Sequence, residues 1–221
     1  MVSSAMEKNT SGAAGRAAAS EALAYLEIAV YEVKEAAHFA AIRAETMKLM
    51  AKLEGFLWWI PLRGDDNAFA DVVAWSSPET AKAAAEAVTL DKAFAPFVTG
   101  IDVVRHLSHY RGFVSPAMVQ GWLTTAPLVE IALYTVVDAA KQQSVHQRVY
   151  AQLAQMEGML GGTRLEAVDG ENGFGDLLLW RDRAAFESTG KALMANPELA
   201  PFFENVQETH VFALFSREGE A

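Results

Sequence analysis

The nine residues Tyr25–Val33, YLEIAVYEV, return 103 positions later as Leu128–Val136, LVEIALYTV. Glu, Ile, Ala, Tyr and Val recur in both stretches in the same order and at the same spacing. The match continues without a gap to Gly55 and Gly158, and then resumes at an offset of 105, so the second copy has two additional residues in a loop. The chain is therefore an internal duplication, which defines its architecture more firmly than local propensity does.

Both copies contain the same elements in the same order. The repeated stretch alternates between two faces as a strand does, and residues 35–53 then follow a helical period that ends at a glycine. Two strands, a second helix and a last strand complete the unit, which gives the ferredoxin-like order β-α-β-β-α-β. The sequence predicts an α+β protein with a flexible leader at residues 1–21, one repeat at 22–111, a linker at 112–126 and a second repeat at 127–218.

Composition excludes several classes of function. The 221 residues include 28 acidic and 18 basic side chains with no basic cluster, which argues against a nucleic-acid partner. The absence of cysteine excludes disulfides and thiolate chemistry. No apolar run approaches the roughly 18 residues of a membrane helix, and no signal peptide is recognisable, so we expect no membrane partner and a cytoplasmic location.

Several short patterns together resemble a known superfamily. They are Glu-Ile on the first strand, Glu-Gly-Phe at Glu54–Phe56, Phe-Ala-Asp-Val-Val-Ala-Trp at Phe69–Trp75, an Ala-rich second helix, and Pro-Phe before a last strand with His106. This combination resembles the dimeric α/β-barrel superfamily, which includes antibiotic-biosynthesis and haem-degrading monooxygenases, muconolactone isomerases and polyketide cyclases. The resemblance implies that two ferredoxin-like sheets face each other, here within one chain, and that a homodimer of this tandem barrel is a possible assembly.

The duplicated glutamates Glu27 and Glu130 are the first candidates for chemistry. We expect the aliphatic face of the first strand, Leu26, Ile28 and Val30, to pack on helices, which directs the glutamates into the barrel interior. Partial desolvation there raises the pKa of a carboxyl group and suits it to general acid or base catalysis. The alternative is that both glutamates are solvated or paired with a cation.

Two histidines on the last strands, His106 and His210, are the second candidates. They correspond only if the alignment slips by one residue, and an imidazole beside a strand-1 glutamate would form an acid–base pair. The alternative is a hydrogen-bonded core histidine. His109 is expected to face away from His106, which excludes a shared metal site, and His146 is interpreted as a surface residue.

Aromatic side chains are the predicted ligand-binding residues. Trp58 occurs only in the first copy. One tyrosine and one tryptophan recur in both copies, as the pairs Tyr31 and Tyr134, and Trp75 and Trp180. Such rings line clefts for flat aromatic molecules, although core packing is the alternative. Because the first copy is richer in aromatic residues, we expect it to hold the better-formed pocket.

These features predict a small-molecule-binding protein whose ligand is apolar or aromatic. The resemblance implies a cofactor-independent monooxygenase, isomerase or cyclase that acts on an enolisable aromatic substrate. A non-catalytic ligand-binding or stress-response protein is the alternative, and a haem-binding protein is the third possibility. No cofactor and no metal are expected, because phosphate-binding loops and zinc motifs are absent and the Asn/Trp/His set of the haem-degrading relatives is not recognisable.

Overall fold

The structure, a computed structural model, describes residues 23–65, 67–170 and 172–217, so the predicted leader lies outside the described part. The strands are β1 Tyr25–Val33, β2 Phe56–Gly64, β3 Ala68–Trp75, β4 Ile101–Gly112, β5 Leu128–Val136, β6 Met159–Ala167, β7 Gly173–Trp180 and β8 Val206–Arg217. The helices are α1 Ala36–Met50, α2 Pro78–Leu90, α3 Ala95–Gly100, α4 Pro116–Thr125, α5 Ala139–Leu153, α6 Arg183–Ala195 and α7 Ala200–Phe203.

The eight strands close into one antiparallel barrel in the order β1-β3-β2-β8-β5-β7-β6-β4. Within each repeat the first strand is central: β1 pairs with β3 and β4, and β5 pairs with β7 and β8. Two short seams join the repeats. They are β4–β6, from Tyr110 to Gly112, and β2–β8, from Leu62 to Gly64. The predicted pair of ferredoxin-like repeats, facing each other as an intramolecular barrel, is confirmed.

The barrel interior is mainly apolar, and it is formed by the face of the strands that we expected to meet the helices. Leu26, Ile28 and Val30 belong to one buried cluster with inward residues of the other seven strands. Tyr31 instead packs with Phe39 of α1 on the outer face. The predicted orientation of β1 and β5 is therefore wrong. The purely aliphatic face enters the mainly apolar barrel, and the face that carries Glu and Tyr turns to the helices, where polar partners such as Arg43 and His146 are available.

The predicted linker contains a ten-residue helix, α4. It begins at Pro116 after Ser115, whose hydroxyl accepts a hydrogen bond from the backbone N–H of Met118 at 3.3 Å. Val119 and Leu123 are fully buried in the barrel cluster. The helix contacts β2 of one repeat and β6 of the other, and it therefore helps to hold the two sheets together.

The long helices α1 and α5 end at Met50 and Leu153, and equivalent glycines follow five residues later. Gly55 and Gly158 have φ angles of +77° and +87°, a left-handed conformation that glycine adopts readily. A Cβ atom at Gly55 would stand 2.4 Å from Thr80, and one at Gly158 would stand 2.4 Å from Ala185. These close approaches bring the second helix of each repeat against the end of the first. No helix within the described residues has the length and apolar character needed to span a membrane.

Candidate functional site

An open cleft of about 310 Å³ lies where the two repeats meet. Its walls come from the outer face of β8, the start of α6 and the β2–β3 turn of the first repeat. Phe186 and Phe212 make its lining aromatic, while Arg183 and Asp65 lie at its edge as an exposed ion pair, Nη2 to Oδ2 3.0 Å. Pockets for small ligands occupy roughly 300–1,000 Å³, so the cleft suits a compact planar molecule.

Among the described residues that line this cleft, Glu130 contributes the one buried carboxylate, with 7% of the residue exposed. It extends from β5 between Leu178 of β7 and Leu214 of β8, its cross-strand neighbours. Nε1 of Trp180 donates a hydrogen bond of 2.8 Å to Oε2 of Glu130. A carboxyl group placed among leucines and given one neutral donor is poorly compensated for its lost hydration.

This environment sets the acidity of Glu130. Burial raises the pKa of its carboxyl group to about 7, the Trp180 hydrogen bond opposes that rise, and Asp176 adds to it. A group with this pKa exchanges its proton near neutral pH, where a general base or acid is most effective. The expectation of a desolvated glutamate is met at Glu130, although the carboxyl faces the cleft and not the barrel interior.

The equivalent glutamate of the first repeat, Glu27, has different surroundings. Its Oε2 lies 3.4 Å from Nε2 of His109, whose Nδ1 lies 2.8 Å from Oδ2 of Asp169. The Tyr25 ring stacks on the imidazole at 5.8 Å. The Glu27 carboxylate is the largest influence on the pKa of His109 and raises it, burial opposes the rise, and Asp169 also raises it. Glu27 thus conforms to the paired alternative.

Two sequence differences explain why the cleft beside Glu130 is open and the equivalent space beside Glu27 is filled. Leu214 occupies the position equivalent to His109, so the second repeat has no imidazole beside Glu130. The two additional residues of the second copy lie in the β6–β7 turn, five residues against three in the β2–β3 turn. The longer turn reaches β4, where the N–H of Val168 donates to the carbonyl of His109 at 2.9 Å.

The cleft with the buried glutamate is therefore in the second repeat, contrary to the expectation drawn from Trp58. The first repeat has a groove of about 300 Å³ between the end of α1 and α2. The carboxylates that line it, Glu54 and Glu79, are exposed, and none of the predicted site residues contributes to it.

The two predicted histidines do not pair with the glutamates. His106 faces the barrel interior, where its Nε2 lies 2.8 Å from the hydroxyl of Tyr110, and its ring stacks on His210 at 5.9 Å. Burial, and then the neighbouring His210, lower the pKa of His106. The one-residue slip is wrong, because β4 and β8 bulge at equivalent positions, Arg105 and His210, and the offset of 105 persists.

The predicted tyrosines lie beneath the helices in buried hydrogen-bond networks, away from the cleft lining. Tyr31 donates a 2.6 Å hydrogen bond to Asp71, and Arg43 of α1 donates to the same carboxylate at 3.0 Å. In the second repeat Tyr134 donates to Asp176 at 3.0 Å. Burial raises the pKa of both tyrosines, so their hydroxyl groups stay protonated.

His146 takes the place of Arg43 in the second network, since the offset of 103 relates the two positions. Its Nε2 lies 2.8 Å from the hydroxyl of Tyr134, and only 1% of the residue is exposed. The surface interpretation of His146 is therefore wrong. The alignment of the two repeats could have identified this buried histidine. It places a polar residue, Arg43 or His146, on the buried face of the first helix in both copies.

The tryptophans separate into three environments. Trp58 is part of the barrel core, Trp75 packs beneath the helices of the first repeat, and Trp180 is bonded to Glu130. The sequence interpretation missed His109 and the cleft residues Phe186 and Phe212. Within the described residues, no group of three or more His, Cys, Asp or Glu side chains is arranged to hold a metal ion.

We expect Trp180→Phe to raise the pKa of Glu130 above about 7. The substitution keeps the aromatic packing and removes the N–H that stabilises the carboxylate. A hydrogen bond to a charged group contributes about 1.5 kcal/mol, which corresponds to about one pH unit. The measurement is a ¹³C NMR titration of the glutamate carboxyl groups, with Trp75→Phe as the matched control. An unchanged midpoint for Glu130 in Trp180→Phe would contradict the assigned hydrogen bond.

Comparison with known proteins supports the fold and does not identify a function. No family profile matches the sequence, and no curated protein matches it either. Solved structures match over nearly the whole chain: an anthrone oxidase-like protein has 13% identity and a TM-score of 0.67, covering 89% of this chain and 92% of that one. A variant of chlorite dismutase from Candidatus Nitrospira defluvii has 11% identity and a TM-score of 0.61 over 88% and 91%. A proposed monooxygenase from Fusobacterium nucleatum subsp. nucleatum has 8% identity and a TM-score of 0.55 over 90% and 96%.

Proposed function

We propose that the protein is an enzyme that removes a proton from an enolisable aromatic molecule, with Glu130 as the general base. The observation that carries this proposal is the buried Glu130 carboxyl, whose pKa is about 7, in an open aromatic cleft. An ordinary structural glutamate would be solvated or paired with a cation, as Glu27 is with His109. Glu130 instead has a neutral donor, apolar neighbours and access to a ligand.

The chemistry begins with transfer of an acidic C–H proton to the Glu130 carboxylate, which leaves an enolate on the aromatic ligand. The rings of Phe186 and Phe212 would hold the flat enolate. Return of the proton to another carbon completes an isomerisation with no redox change. Alternatively, the carbanion carbon adds O₂, and the protonated Glu130 supplies the proton that yields a hydroperoxide. Loss of water from that hydroperoxide then gives a ketone.

An anthrone is a suitable first substrate. Its methylene carbon between two aromatic rings is acidic, and the oxygen route consumes one O₂ and gives one anthraquinone and one water. Support comes from the size and aromatic lining of the cleft and from the shared fold with an anthrone oxidase-like protein. That likeness concerns the fold, and a fold hosts many reactions, so the argument depends on the Glu130 cleft.

The test is oxidation of anthrone by the purified chain, followed as anthraquinone absorbance and O₂ uptake. We expect the enzymic rate to rise with pH through about 7, because the base acts in its ionised form and the pKa of Glu130 is about 7. A second experiment measures anthrone binding in the absence of O₂. Binding without turnover of anthrone, or of a panel of enolisable aromatics, would favour the non-catalytic ligand-binding alternative. A Soret band on addition of haemin would favour the haem-binding alternative.

A further inference from the structure

The indole of Trp75 is an unsatisfied buried donor. Only 1% of the residue is exposed, and its Nε1 has no hydrogen-bond partner among the described residues. The equivalent Trp180 donates its indole N–H to Glu130. Buried donors are almost always paired, since a missing hydrogen bond leaves the full cost of desolvation. The natural acceptor for Trp75 is the residue equivalent to Glu130, which is Glu27.

Glu27 faces away from this donor and toward His109. One imidazole nitrogen lies 3.4 Å from Glu27 and the other 2.8 Å from Asp169, so the histidine bridges two carboxylates. The Glu27 contact is long, and Nε2 of His109 makes no well-directed hydrogen bond. The arrangement therefore depends on charge attraction, and it leaves both Nε1 of Trp75 and Nε2 of His109 poorly satisfied.

The β6–β7 turn that carries Asp169 covers the position of the first repeat's cleft. Its described attachments to β4 are the bond from Val168 to the carbonyl of His109, a 3.2 Å bond from the N–H of His109 to Asp169, and the imidazole contact. The side chain of Asp169 is 55% exposed. On the side of Glu130 the equivalent turn, β2–β3 of the first repeat, is two residues shorter, and the space beside Glu130 is open.

We propose that the first repeat contains a second ligand cleft, equivalent to the Glu130 cleft and latched shut by the β6–β7 turn, and that Glu27 moves from His109 to Nε1 of Trp75 when the latch opens. The open form would reproduce the contacts of the second repeat, with a desolvated glutamate held by an indole N–H. Its ligand would be an aromatic molecule of the class proposed for the Glu130 cleft, held by Ala81 and Leu107 at the positions of Phe186 and Phe212. That ligand class rests on the proposed function, whereas the movement of Glu27 does not.

Protonation of His109 controls the latch. The charged groups that act on it are Glu27 of β1 and Asp169 of the turn, and together they raise its pKa against the opposing effect of burial. Tyr25, which stacks on the ring, has a pKa raised to about 12, chiefly by burial, and stays neutral. Arg111, two residues along β4, is paired with Glu166. The imidazolium therefore holds the latch at lower pH and releases it as the pH rises through the raised pKa.

The first experiment needs no ligand. In the full chain labelled with ¹⁵N-tryptophan, the indole N–H signal of Trp75 is identified by its loss in Trp75→Phe. Its chemical shift is then followed with pH beside the ring signals of His109. We expect the Trp75 signal to move downfield with the midpoint of the His109 titration, while the Trp180 signal does not follow that midpoint. In His109→Leu, which introduces the residue present at position 214, the downfield signal should persist at every pH.

A second variant and a binding measurement complete the test. Asp169→Asn weakens the latch without altering the strand, so it should shift the Trp75 signal partway if His109→Leu proves unstable. Equilibrium dialysis with 1-naphthol should give one site per chain in wild type at low pH and two in His109→Leu. A Trp75 signal that stays unchanged with pH and in both variants refutes the movement of Glu27. A shifted signal with one naphthol site refutes the second cleft alone, and neither result depends on whether Glu130 is catalytic.

Discussion

The substitution Glu130→Gln should reduce the rate of anthrone oxidation by about 10²–10⁴-fold, the usual contribution of a general base. Glutamine keeps the size of the side chain and can still accept the hydrogen bond from Trp180, but it cannot take a proton. Because the cleft walls are unchanged, anthrone binding measured without O₂ should change little. The loss should therefore appear in kcat and leave KM nearly constant.

The matched control is Glu27→Gln. Glu27 is equivalent in sequence but is paired with His109 in a filled cleft, so at a pH where His109 is protonated its substitution should leave turnover close to that of wild type. Equal losses in the two variants would point to a structural effect of the strand. Full activity in Glu130→Gln would rule out Glu130 as the base.

The same Glu130 variant has a second expected signature, in stability. The folded-state pKa of Glu130 is raised from 4.5 to about 7, so the protonated carboxyl favours the folded state. Wild type therefore loses stability as the pH rises from 4.5 to 7, by up to about 3 kcal/mol, and glutamine removes this loss. We expect Glu130→Gln to exceed wild type in stability at pH 8 and to gain little at pH 4, measured by urea unfolding. A buried carboxylate kept at the expense of stability is typical of a functional site.

The second large effect is expected at the buried network of the first repeat. Arg43→Met should lower the free energy of unfolding by about 3–5 kcal/mol, because it leaves the Asp71 carboxylate buried without its cation. Asp71 is 3% exposed, and burial raises the pKa of its carboxyl group even with Arg43 present. In a chain of this length each kcal/mol shifts Tm by about 2–4 °C, so differential scanning calorimetry should record a fall of about 10 °C.

Two further variants identify the cause of that loss. Arg43→His introduces the residue of the second repeat, where His146 contacts the equivalent tyrosine, and it should be milder than methionine. Combining Arg43→Met with Asp71→Asn removes the unpaired charge and should recover much of the stability. The deficit of Arg43→Met should also shrink at low pH, where Asp71 is protonated. A deficit that is independent of pH and of residue 71 would indicate lost packing on the rings of Phe39 and Phe69 instead.

The duplicated stretches were sufficient for the fold because they specify the elements twice at one register. Alternation along Tyr25–Val33 identifies a strand with two faces, and the recurrence at Leu128–Val136 identifies a second sheet to cover the first. This alternation does not indicate which face of the strand lies inside the barrel. A purely aliphatic face and a face with glutamate and tyrosine are both compatible with burial, and the polar face can be buried only where partners such as Arg43 and His146 are available.

The sequence alone established the duplication, the ferredoxin-like order and the paired candidates Glu27 and Glu130, and the superfamily resemblance implied the barrel. It could not distinguish those two glutamates, since their local sequences are nearly the same. The three-dimensional arrangement distinguishes them, because desolvation depends on atoms distant in the chain. His109, 82 residues further along, contacts Glu27 and is itself bound to Asp169, whereas leucines and the Trp180 indole surround Glu130. A histidine in place of a leucine, together with two additional residues in one turn, fills the space beside Glu27 and leaves the cleft beside Glu130 open to a ligand.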